Sequence, residues 1–309
     1  MDRQTPLIII TGPTCSGKTR LVFGLAKKYP LEVISADSMQ VYRYMDIATA
    51  KPSQDECNVL PHHLIDVVNP DEEFNAGMFV SMAQQKIAEI RSRKKLPVVV
   101  GGTGLYIKSL VYGLSPAPER SNKHRAALKM VAQRHGFAYL WNILKRLDPD
   151  SANKINAADA PRIIRYLEII FLTGRSASSF HKSHGFVHPV ISTKTLCLMP
   201  DREQLYTQIN QRVERMIEHG LVEETQKLLQ MGYHQSLRSM QTLAYRHVVD
   251  YLTQKLSLEE TISIIQRDTR RYAKRQITWF ARMYSEEAIP DSGDAGALLK
   301  SWVDGILSE

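Results

Sequence analysis

The sequence predicts an α/β fold: a parallel β-sheet flanked by helices, with a helical domain inserted into it. Three short apolar runs, at residues 7–10, 31–34 and 97–100, are typical of buried parallel strands. Helical patterns at 19–29 and 79–94 alternate with them, as expected for a parallel sheet. Ligands of such sheets gather at the carboxyl ends of the strands, so the segments after these runs are the first candidates for a site.

A change of composition at the proline-rich residues 113–118 marks the start of the predicted insertion. Helical patterns follow at 122–135, 137–147 and 160–173, and residues 180–189 are expected to form a loop. A short apolar run at 195–199 is expected to return to the sheet, and helices are expected at 202–231 and about 258–284. The prediction is a core over residues 1–114, a helical insertion over 115–190, and completion of the core over 191–309.

The first predicted strand is followed by a phosphate-binding loop. The pattern GxxxxGK[ST] is matched by Gly12, Pro13, Thr14, Cys15, Ser16, Gly17, Lys18 and Thr19. Backbone N–H groups and Lys18 are expected to hold phosphate oxygens at the start of the next helix, with the Thr19 hydroxyl placed for Mg²⁺. The sheet is therefore predicted to be of the P-loop NTPase type, with a diphosphate or nucleotide as ligand.

The second and third predicted strands end in Asp37 and in the glycine-rich run 101–104. Asp37 is placed to hold Mg²⁺ through water or to accept a proton from a nucleophile; the alternative role is to cap the segment that follows. At the end of the third strand, glycines allow close approach of a ligand and Thr103 offers a hydroxyl. Motor and switch NTPases have a metal-binding aspartate there, so this pattern argues against steady hydrolysis of nucleoside triphosphates.

The formal net charge is +8 over 309 residues. The positive charge lies outside residues 283–309, because that segment itself contains six acidic residues and only one lysine. Such an excess favours a polyanionic partner, nucleic acid before an anionic membrane. The three cysteines are too far apart for a disulfide framework or a metal site. No signal peptide and no membrane-spanning run is recognisable, so we expect a cytoplasmic protein without membrane contact, acting as a monomer.

A predicted helix near the C-terminus carries a dense basic face. Its exposed side is expected to hold Arg267, Arg271, Lys274 and Arg275, and its core side an aromatic stripe with Ile265, Tyr272 and Trp279. A basic face can be merely solvated, but this density of arginine favours contacts with a phosphate backbone.

Two further pairs of residues are candidates for a site. Arg212 and Arg215 lie on the helix predicted after residue 202, and either is a candidate clamp on a leaving diphosphate. His62 and His63 suggest a metal site, but adjacent histidines point apart and no third ligand has suitable spacing. We therefore expect no metal at the histidines.

The order of these motifs resembles that of the tRNA dimethylallyltransferases, also called tRNA isopentenyltransferases. The matching stretches extend over almost the whole chain: residues 12–19, 34–42, 45–52, 62–66, 101–106, 162–165 and 274–280. The resemblance implies transfer of a dimethylallyl group from dimethylallyl diphosphate to N6 of the tRNA adenosine that follows the anticodon, with Mg²⁺ and release of diphosphate. The target base would have to leave the stack of the anticodon stem-loop.

The resemblance also implies roles for individual residues. Asp37 would bind the adenine amine and act as base, Thr103 and Arg212 would act at the diphosphate, and residues 12–19 would bind it. The residues implied to hold tRNA are Asp37, Ser38, Met39, Gln40, Thr103, Arg125, Pro161, Arg162, Ile163, Ile164, Arg165, Gln241, Thr242, Leu243, Ala244, Tyr245, Arg246, Lys274, Arg275, Gln276, Ile277, Thr278, Trp279, Phe280 and Ala281.

The chain departs from the usual residues of this family at four positions. Cys15 replaces alanine, Pro161 replaces glutamine, and Ala48 and Ala244 replace glycines. Pro161 removes a side-chain donor beside the expected base pocket, and Ala244 restricts the backbone if the family's glycine has a positive φ. No Cys/His-rich segment follows the basic helix, so we expect a bacterial form without the zinc finger of eukaryotic relatives.

Three other functions compete with this hypothesis. An adenylate isopentenyltransferase would modify a free nucleotide. The helical insertion and the basic helix argue against this function, because recognition of a mononucleotide needs neither of them. A small-molecule kinase would use the same phosphate loop and would consume ATP. An RNA-binding protein with a vestigial loop would not need Lys18, Thr19 and Asp37 intact.

Overall fold

The computed structural model describes residues 5–284, 288–289 and 292–308. The strands in this part of the chain are β1 (Leu7–Thr11), β2 (Leu31–Ser35), β3 (His62–His63), β4 (Leu96–Gly101), β5 (Thr193–Leu198) and β6 (Ala288–Ile289). The helices are α1 (Lys18–Ala26), α2 (Gln54–Val59), α3 (Ala76–Ser92), α4 (Gly104–Tyr112), α5 (Asn122–His135), α6 (Phe137–Leu147), α7 (Pro149–Ala152), α8 (Ala160–Thr173), α9 (Ala177–His184), α10 (Arg202–Glu218), α11 (Leu221–Gln230), α12 (Leu243–Leu252), α13 (Leu258–Met283) and α14 (Ser292–Ser308).

The six strands form one parallel sheet in the order β3-β2-β4-β1-β5-β6. Strand β1 lies between β4 and β5, and its Ile10 is in register with Val100 on one side and Leu196 on the other. Every residue of β1, β2 and β4 is buried, because helices cover both faces of a parallel sheet. The predicted α/β fold of the P-loop type is confirmed. The two-residue edge strands β3 and β6 were not predicted, since so short a run has no recognisable period.

One face of the sheet is covered by α1 and α14. Ile8 and Ile10 of β1 share a hydrophobic cluster with Val22 of α1 and with Leu299 and Val303 of α14. Burial of each such side chain stabilises the fold by roughly 1.5–3 kcal/mol. Helix α14 was not predicted, although its apolar residues complete this core.

The helix predicted over residues 202–231 is divided in the structure. Helix α10 ends at Glu218, and Gly220, with φ 93°, is the N-cap of α11; this left-handed conformation favours glycine. The acidic residues Glu286, Glu287, Asp291 and Glu309 of the C-terminal segment lie outside the described residues. No helix in the described part of the chain is long and apolar enough to cross a membrane.

Residues Tyr112–Pro189 form a compact unit of their own, whereas Met1–Val111 and Val190–Glu309 form the other unit. The smaller unit contains α5 to α9, of which α5 to α8 share a core that includes Leu128, Leu140, Leu144 and Leu167. Helices α5, α6 and α8 have the bounds that the sequence pattern predicted. The loop expected at 180–189 is wrong in part, because α9 continues to residue 184 and buries Phe180 against Ile169.

Glycines allow the ends of the central strands to approach one another closely. A Cβ atom on Gly101 would overlap the backbone carbonyl of Ala36, and one on Gly104 would overlap the indole of Trp279. Gly12, at φ 139°, lies against the carbonyl of Leu198 in the same way. We interpreted the glycine-rich run 101–104 as room for a ligand. The structure shows that the close approach at Gly101 and Gly104 is to other parts of the protein.

We expect Gly101→Ala to lower the free energy of unfolding by about 1–3 kcal/mol, because the new methyl group forces the β2 and β4 ends apart. Gly24→Ala is the matched control: no atom lies within 4 Å of a Cβ built on this residue of α1. There alanine should raise stability by about 0.5–1 kcal/mol. Urea unfolding of both variants tests the difference, and equal stability of Gly101→Ala and the parent would contradict the packing argument.

Candidate active site

A cleft of about 470 Å³ lies at the carboxyl ends of the central strands. The loops after β1, β2 and β4 line it, and α10 and α13 close it from the side. Its lining residues include the phosphate loop from Thr14 to Thr19, together with Asp37, Gln40, Gly102, Arg212, Tyr272 and Gln276. This position is the one that the topology of a parallel sheet predicts for a ligand.

The phosphate loop connects β1 to the N-terminus of α1. Gly12 and Gly17 have φ values of 139° and 86°, and Cys15 between them has a φ of 62°, so the loop turns through left-handed conformations. Helix α1 starts at Lys18 with no acidic residue in its first turn. The partial positive charge of this helix end is therefore available to an anion in the cleft.

Lys18 places its ammonium group inside the curve of the loop. Its Nζ donates to the carbonyl oxygens of Gly12 at 3.0 Å and Pro13 at 2.6 Å, and to Ser16 Oγ at 3.2 Å. Burial lowers the pKa of Lys18 to about 8, against an opposing effect of the nearby Asp37 charge. The ammonium group is thus held beside the position expected for phosphate oxygens. Because burial disfavours its positive charge, binding of an anion next to it is favourable.

Arg212 contacts the phosphate loop from α10. Its Nη1 donates to Thr14 Oγ1 at 3.1 Å, and its Nη2 donates to the carbonyl of Ala48 at 3.4 Å. Arg215 also lines the cleft, but it is exposed and its Nε donates to the carbonyl of Gln211 on its own helix. Of the two predicted candidates, Arg212 has the contacts expected of a diphosphate clamp.

Asp37 and Thr103 hold the loop after β2. Asp37 Oδ1 accepts the N–H groups of Met39 at 2.8 Å and Gln40 at 3.4 Å. Thr103 Oγ1 accepts the N–H of Ser38 at 3.0 Å. The segment after Asp37 is a turn. One carboxylate oxygen therefore caps the turn, while Oδ2 makes no hydrogen bond to any residue that the structure describes.

A loop over residues 42–52 forms a further wall, and sequence analysis gave its residues no role. Gln40 joins this loop to β2: its Oε1 accepts from Ser35 Oγ at 2.8 Å and its Nε2 donates to the carbonyls of Thr49 and Ala50. From α11, Glu224 accepts the N–H groups of Asp46 and Ile47, each at 2.9 Å. No sequence signal marks Glu224, because these two backbone partners lie 178 and 177 positions away, and its third partner, the hydroxyl of Tyr245, lies 21 positions away.

Tyr272 is a cleft residue that we placed in an aromatic core stripe. Ile265 is buried as expected, but Tyr272 is half-buried and lines the cleft, and Trp279 is 38% exposed. Burial raises the pKa of Tyr272 to about 12, and the charge of Asp37 acts in the same direction. Its phenol therefore stays protonated and can act as a donor beside Asp37.

The basic side chains of α12 and α13 meet at one carboxylate. Asp268 lies 2.7 Å from Arg246, 3.1 Å from His247, 3.1 Å from Arg267 and 3.4 Å from Arg271. Burial alone would raise the pKa of Asp268, but the hydrogen bonds from these groups outweigh it and the pKa is lowered. The carboxylate therefore fixes several cations, of which Arg267 and Arg271 remain exposed on the predicted basic face.

The segments predicted to bind tRNA are only partly accessible. Pro161, Arg162, Lys274, Arg275 and Thr278 are exposed. A correction is needed for the side chains that the structure buries in cores, which face away from any partner: Ile163, Ile164, Ala244, Tyr245 and Phe280. Gln276 is also buried, but it lines the cleft. Continuous runs were predicted there, whereas a helix presents only one face.

Arg125 and Arg165 have an internal partner in the smaller unit. The buried Glu168 accepts two hydrogen bonds from Arg125, at 3.0 and 3.2 Å, and one from Arg165 at 2.6 Å. It also accepts the N–H of Ser121, at the N-cap of α5. Burial would raise the pKa of Glu168, but these bonds lower it. Arg125 thus holds α5 to α8, whereas Arg165 pairs with Glu168 on its own helix and donates to the carbonyl of Pro118; sequence analysis predicted neither contact.

The adjacent histidines take part in local contacts. His62 Nδ1 lies 2.7 Å from the carbonyl oxygen of Leu60, and His63 Nε2 lies 2.6 Å from the buried carboxylate of Glu32. Among the described residues, no group of three or more His, Cys, Asp or Glu side chains has the arrangement of a metal site.

Residues 40–283 match the family model of the IPP transferases. The chain belongs to the IPP transferase family. The tRNA dimethylallyltransferase 1 of Syntrophotalea carbinolica is 44% identical to it over 299 residues, which cover 97% of this chain and 95% of that protein. The resemblance drawn from the motifs is therefore confirmed.

Solved structures of the family agree with this assignment. The tRNA isopentenylpyrophosphate transferase of Bacillus halodurans is 35% identical to this IPP transferase, with a TM-score of 0.68 over 98% of each chain. A eukaryotic dimethylallyltransferase acting on tRNA is 30% identical, with a TM-score of 0.73 over 89% of this chain and 70% of the other.

The affinity of the cleft for dimethylallyl diphosphate is expected to fall as the pH rises through about 8, because Lys18 loses its charge there. Below this pH the ammonium is charged and its contribution is fully present. Lys18→Met should bind more weakly than the parent below this pH, approach the affinity of the parent above it, and lack this step. Titrations between about pH 7 and 9 measure the effect; the same step in Lys18→Met would assign it to another group.

Arg212→Ala is expected to lower kcat/KM for dimethylallyl diphosphate about 100-fold, because a cation at the phosphate loop stabilises the charge that develops on the leaving group. Arg215→Ala removes the same charge from the next turn of α10, where no contact with the loop is made, and should change kcat/KM by no more than about twofold. Equal losses in the two variants would contradict the assignment of Arg212.

Proposed function

We propose that this IPP transferase moves the dimethylallyl group of dimethylallyl diphosphate to N6 of the tRNA adenosine that follows the anticodon, with release of diphosphate. One observation carries the proposal: the phosphate loop and the free oxygen of Asp37 face one cleft, so a leaving diphosphate and an attacking amine can be held together. The names of its relatives, tRNA dimethylallyltransferases, give the donor and acceptor classes. The enzyme is a tRNA-modifying prenyltransferase.

The phosphate loop acts on the leaving group. When the bond between C1 of the dimethylallyl group and the diphosphate oxygen breaks, negative charge develops on the diphosphate. Lys18, Arg212 and the N-terminus of α1 surround the position of that charge, and their placement is fixed before the reaction. Fixed positive groups of this kind stabilise a transition state without the cost of reorganising water.

Asp37 acts on the attacking amine. N6 of the adenine forms a bond to C1 and must lose one proton to become the neutral secondary amine. Asp37 Oδ2 accepts this proton, while Oδ1 remains bound to the N–H of Met39 and keeps the carboxylate oriented. Thr103, in the glycine-rich run, supports the same loop by accepting the N–H of Ser38. Its proposed action at the diphosphate rests on the family resemblance.

Magnesium fits this cleft as a companion of the diphosphate. Thr19 is exposed in the first turn of α1 and lines the cleft, so its hydroxyl is a candidate ligand next to the diphosphate oxygens. The donor set suits Mg²⁺, which commonly binds through substrate phosphates, water and one or two protein oxygens. When bound, the ion neutralises charge on the leaving group.

We assign tRNA binding to exposed residues of both units. In the larger unit these are the basic side chains around Asp268 and the exposed Lys274 and Arg275 of α13. In the smaller unit they are Pro161 and Arg162, at the start of α8. Phosphate contacts from such residues supply affinity and orientation for an anticodon stem-loop. The proposed chemistry needs no second copy of the chain.

The experiment that tests the function is a transfer assay with labelled dimethylallyl diphosphate. Unmodified tRNA, its anticodon stem-loop and free AMP are offered in parallel, without ATP. Label at the adenosine beside the anticodon supports the proposal. Label on AMP alone would contradict it in favour of an adenylate isopentenyltransferase, and absence of label with every acceptor would contradict prenyl transfer itself.

Asp37→Asn is expected to reduce turnover by about 100-fold or more, because the amide cannot accept the proton of N6. Binding of tRNA should change less than about threefold, since the amide oxygen can still accept the N–H of Met39 and keep the turn. Single-turnover rates and stem-loop affinities measure the two effects separately. Parallel losses of rate and affinity would make Asp37 a recognition residue only.

Lys274→Ala is expected to weaken stem-loop binding and to lower the slope of log affinity against log salt by about 0.7–0.9, the value for one phosphate contact. Lys86→Ala removes the same charge from α3, where Lys86 pairs with Glu89, and should leave the slope unchanged. Affinities over a range of salt concentrations test both variants. An unchanged slope for Lys274→Ala would mean that this face of α13 is merely solvated.

A further inference from the structure

Gln276 is buried on α13, on the opposite side of the helix from its basic residues. The neighbouring Lys274 and Arg275 are exposed, whereas Gln276 is 7% exposed. Its amide oxygen accepts the backbone N–H of Thr14 at 2.9 Å, and its amide nitrogen donates to the carbonyl of Gly102 at 2.9 Å. Both ends of the side chain are thus used inside the protein, and neither is free for RNA.

The two partners of Gln276 belong to the two loops that frame the cleft. Thr14 lies in the phosphate loop, and its hydroxyl oxygen also accepts a hydrogen bond from Arg212. Gly102 precedes Thr103, which holds the Asp37 loop through Ser38. A Cβ atom on Gly102 would lie 2.6 Å from the amide nitrogen of Gln276, so glycine is what lets the amide reach its partner. One side chain therefore joins the diphosphate side and the amine side of the cleft to α13.

We propose that Gln276 couples the binding of tRNA on α13 to the binding of dimethylallyl diphosphate in the cleft. This inference rests on the proposed function. A stem-loop bound to the exposed face of α13 fixes that helix and, through Gln276, the N–H of Thr14 and the carbonyl of Gly102. The phosphate loop is then already ordered when the diphosphate binds, so each substrate tightens the binding of the other. Gln276 acts here as a positioning residue, because both ends of its amide are bonded to backbone groups of the cleft loops.

Two substitutions separate the two hydrogen bonds. Gln276→Leu removes both while keeping a side chain of similar length. Gln276→Glu keeps an acceptor for the N–H of Thr14 but loses the donor to Gly102, because a carboxylate has no N–H to give. The control is Gln266→Leu, the same exchange on the same helix, where the amide nitrogen contacts Asn210 and Glu214 of α10 instead of the cleft.

The experiment measures the dissociation constant of a non-reactive thio analogue of dimethylallyl diphosphate, with and without a saturating anticodon stem-loop. In the parent and in Gln266→Leu, the stem-loop should tighten analogue binding about fivefold or more. In Gln276→Leu and Gln276→Glu this ratio should fall to about one. The added negative charge of Gln276→Glu should also weaken analogue binding with and without the stem-loop, so the ratio is the readout. By thermodynamic reciprocity, the analogue must tighten stem-loop binding by the same factor in each protein.

The possible outcomes are distinct. A ratio of about one in the parent, or the parent ratio retained in Gln276→Glu, would overturn the coupling and leave the proposed function intact. If Gln276→Leu fails to fold, Gln276→Glu alone decides the question. Failure of the parent to bind the stem-loop would overturn the proposed function and this inference together.

Discussion

The active site depends on how closely the backbones at the ends of the central strands pack. Gly12, Gly101 and Gly102 lie against a carbonyl or an amide at distances that leave no space for a Cβ atom. This packing places the phosphate loop, the Asp37 turn and the glycine-rich run at one edge of the sheet. The shape of the cleft is therefore set by the packing of the backbone, and the reactive side chains project from loops that this packing holds in place.

Buried carboxylates organise the cations of this protein. Glu168 holds Arg125 and Arg165 in the smaller unit, and Asp268 holds Arg267 and its neighbours in the larger one. Such buried ion pairs contribute little net stability to the fold, because the cost of removing both charges from water offsets much of their attraction. Their contribution here is orientation, since a guanidinium that is already fixed loses less conformational freedom when it meets a phosphate. Lys18 differs in that its partners are the neutral oxygens of its own loop.

The sequence allowed prediction of features that depend on local pattern. The strands β1, β2, β4 and β5, the phosphate loop and the bounds of three helices in the smaller unit follow from short apolar runs, helical periodicity and one motif. Features that depend on distant contacts were not predicted: the short edge strands, helix α14 and the roles of Glu168 and Glu224. Tyr272 was placed in the core because periodicity indicates which residues share a face, but not whether that face meets a core or a cleft.

The central claim is that the phosphate loop holds a leaving diphosphate during prenyl transfer and is not a site of hydrolysis. The most direct test measures diphosphate release and prenyl transfer in the same reaction, with and without tRNA, and orthophosphate release from ATP in parallel. The account predicts one diphosphate for each prenyl group transferred, almost none without tRNA, and no orthophosphate from ATP. Diphosphate release that is independent of tRNA, or steady production of orthophosphate, would contradict it.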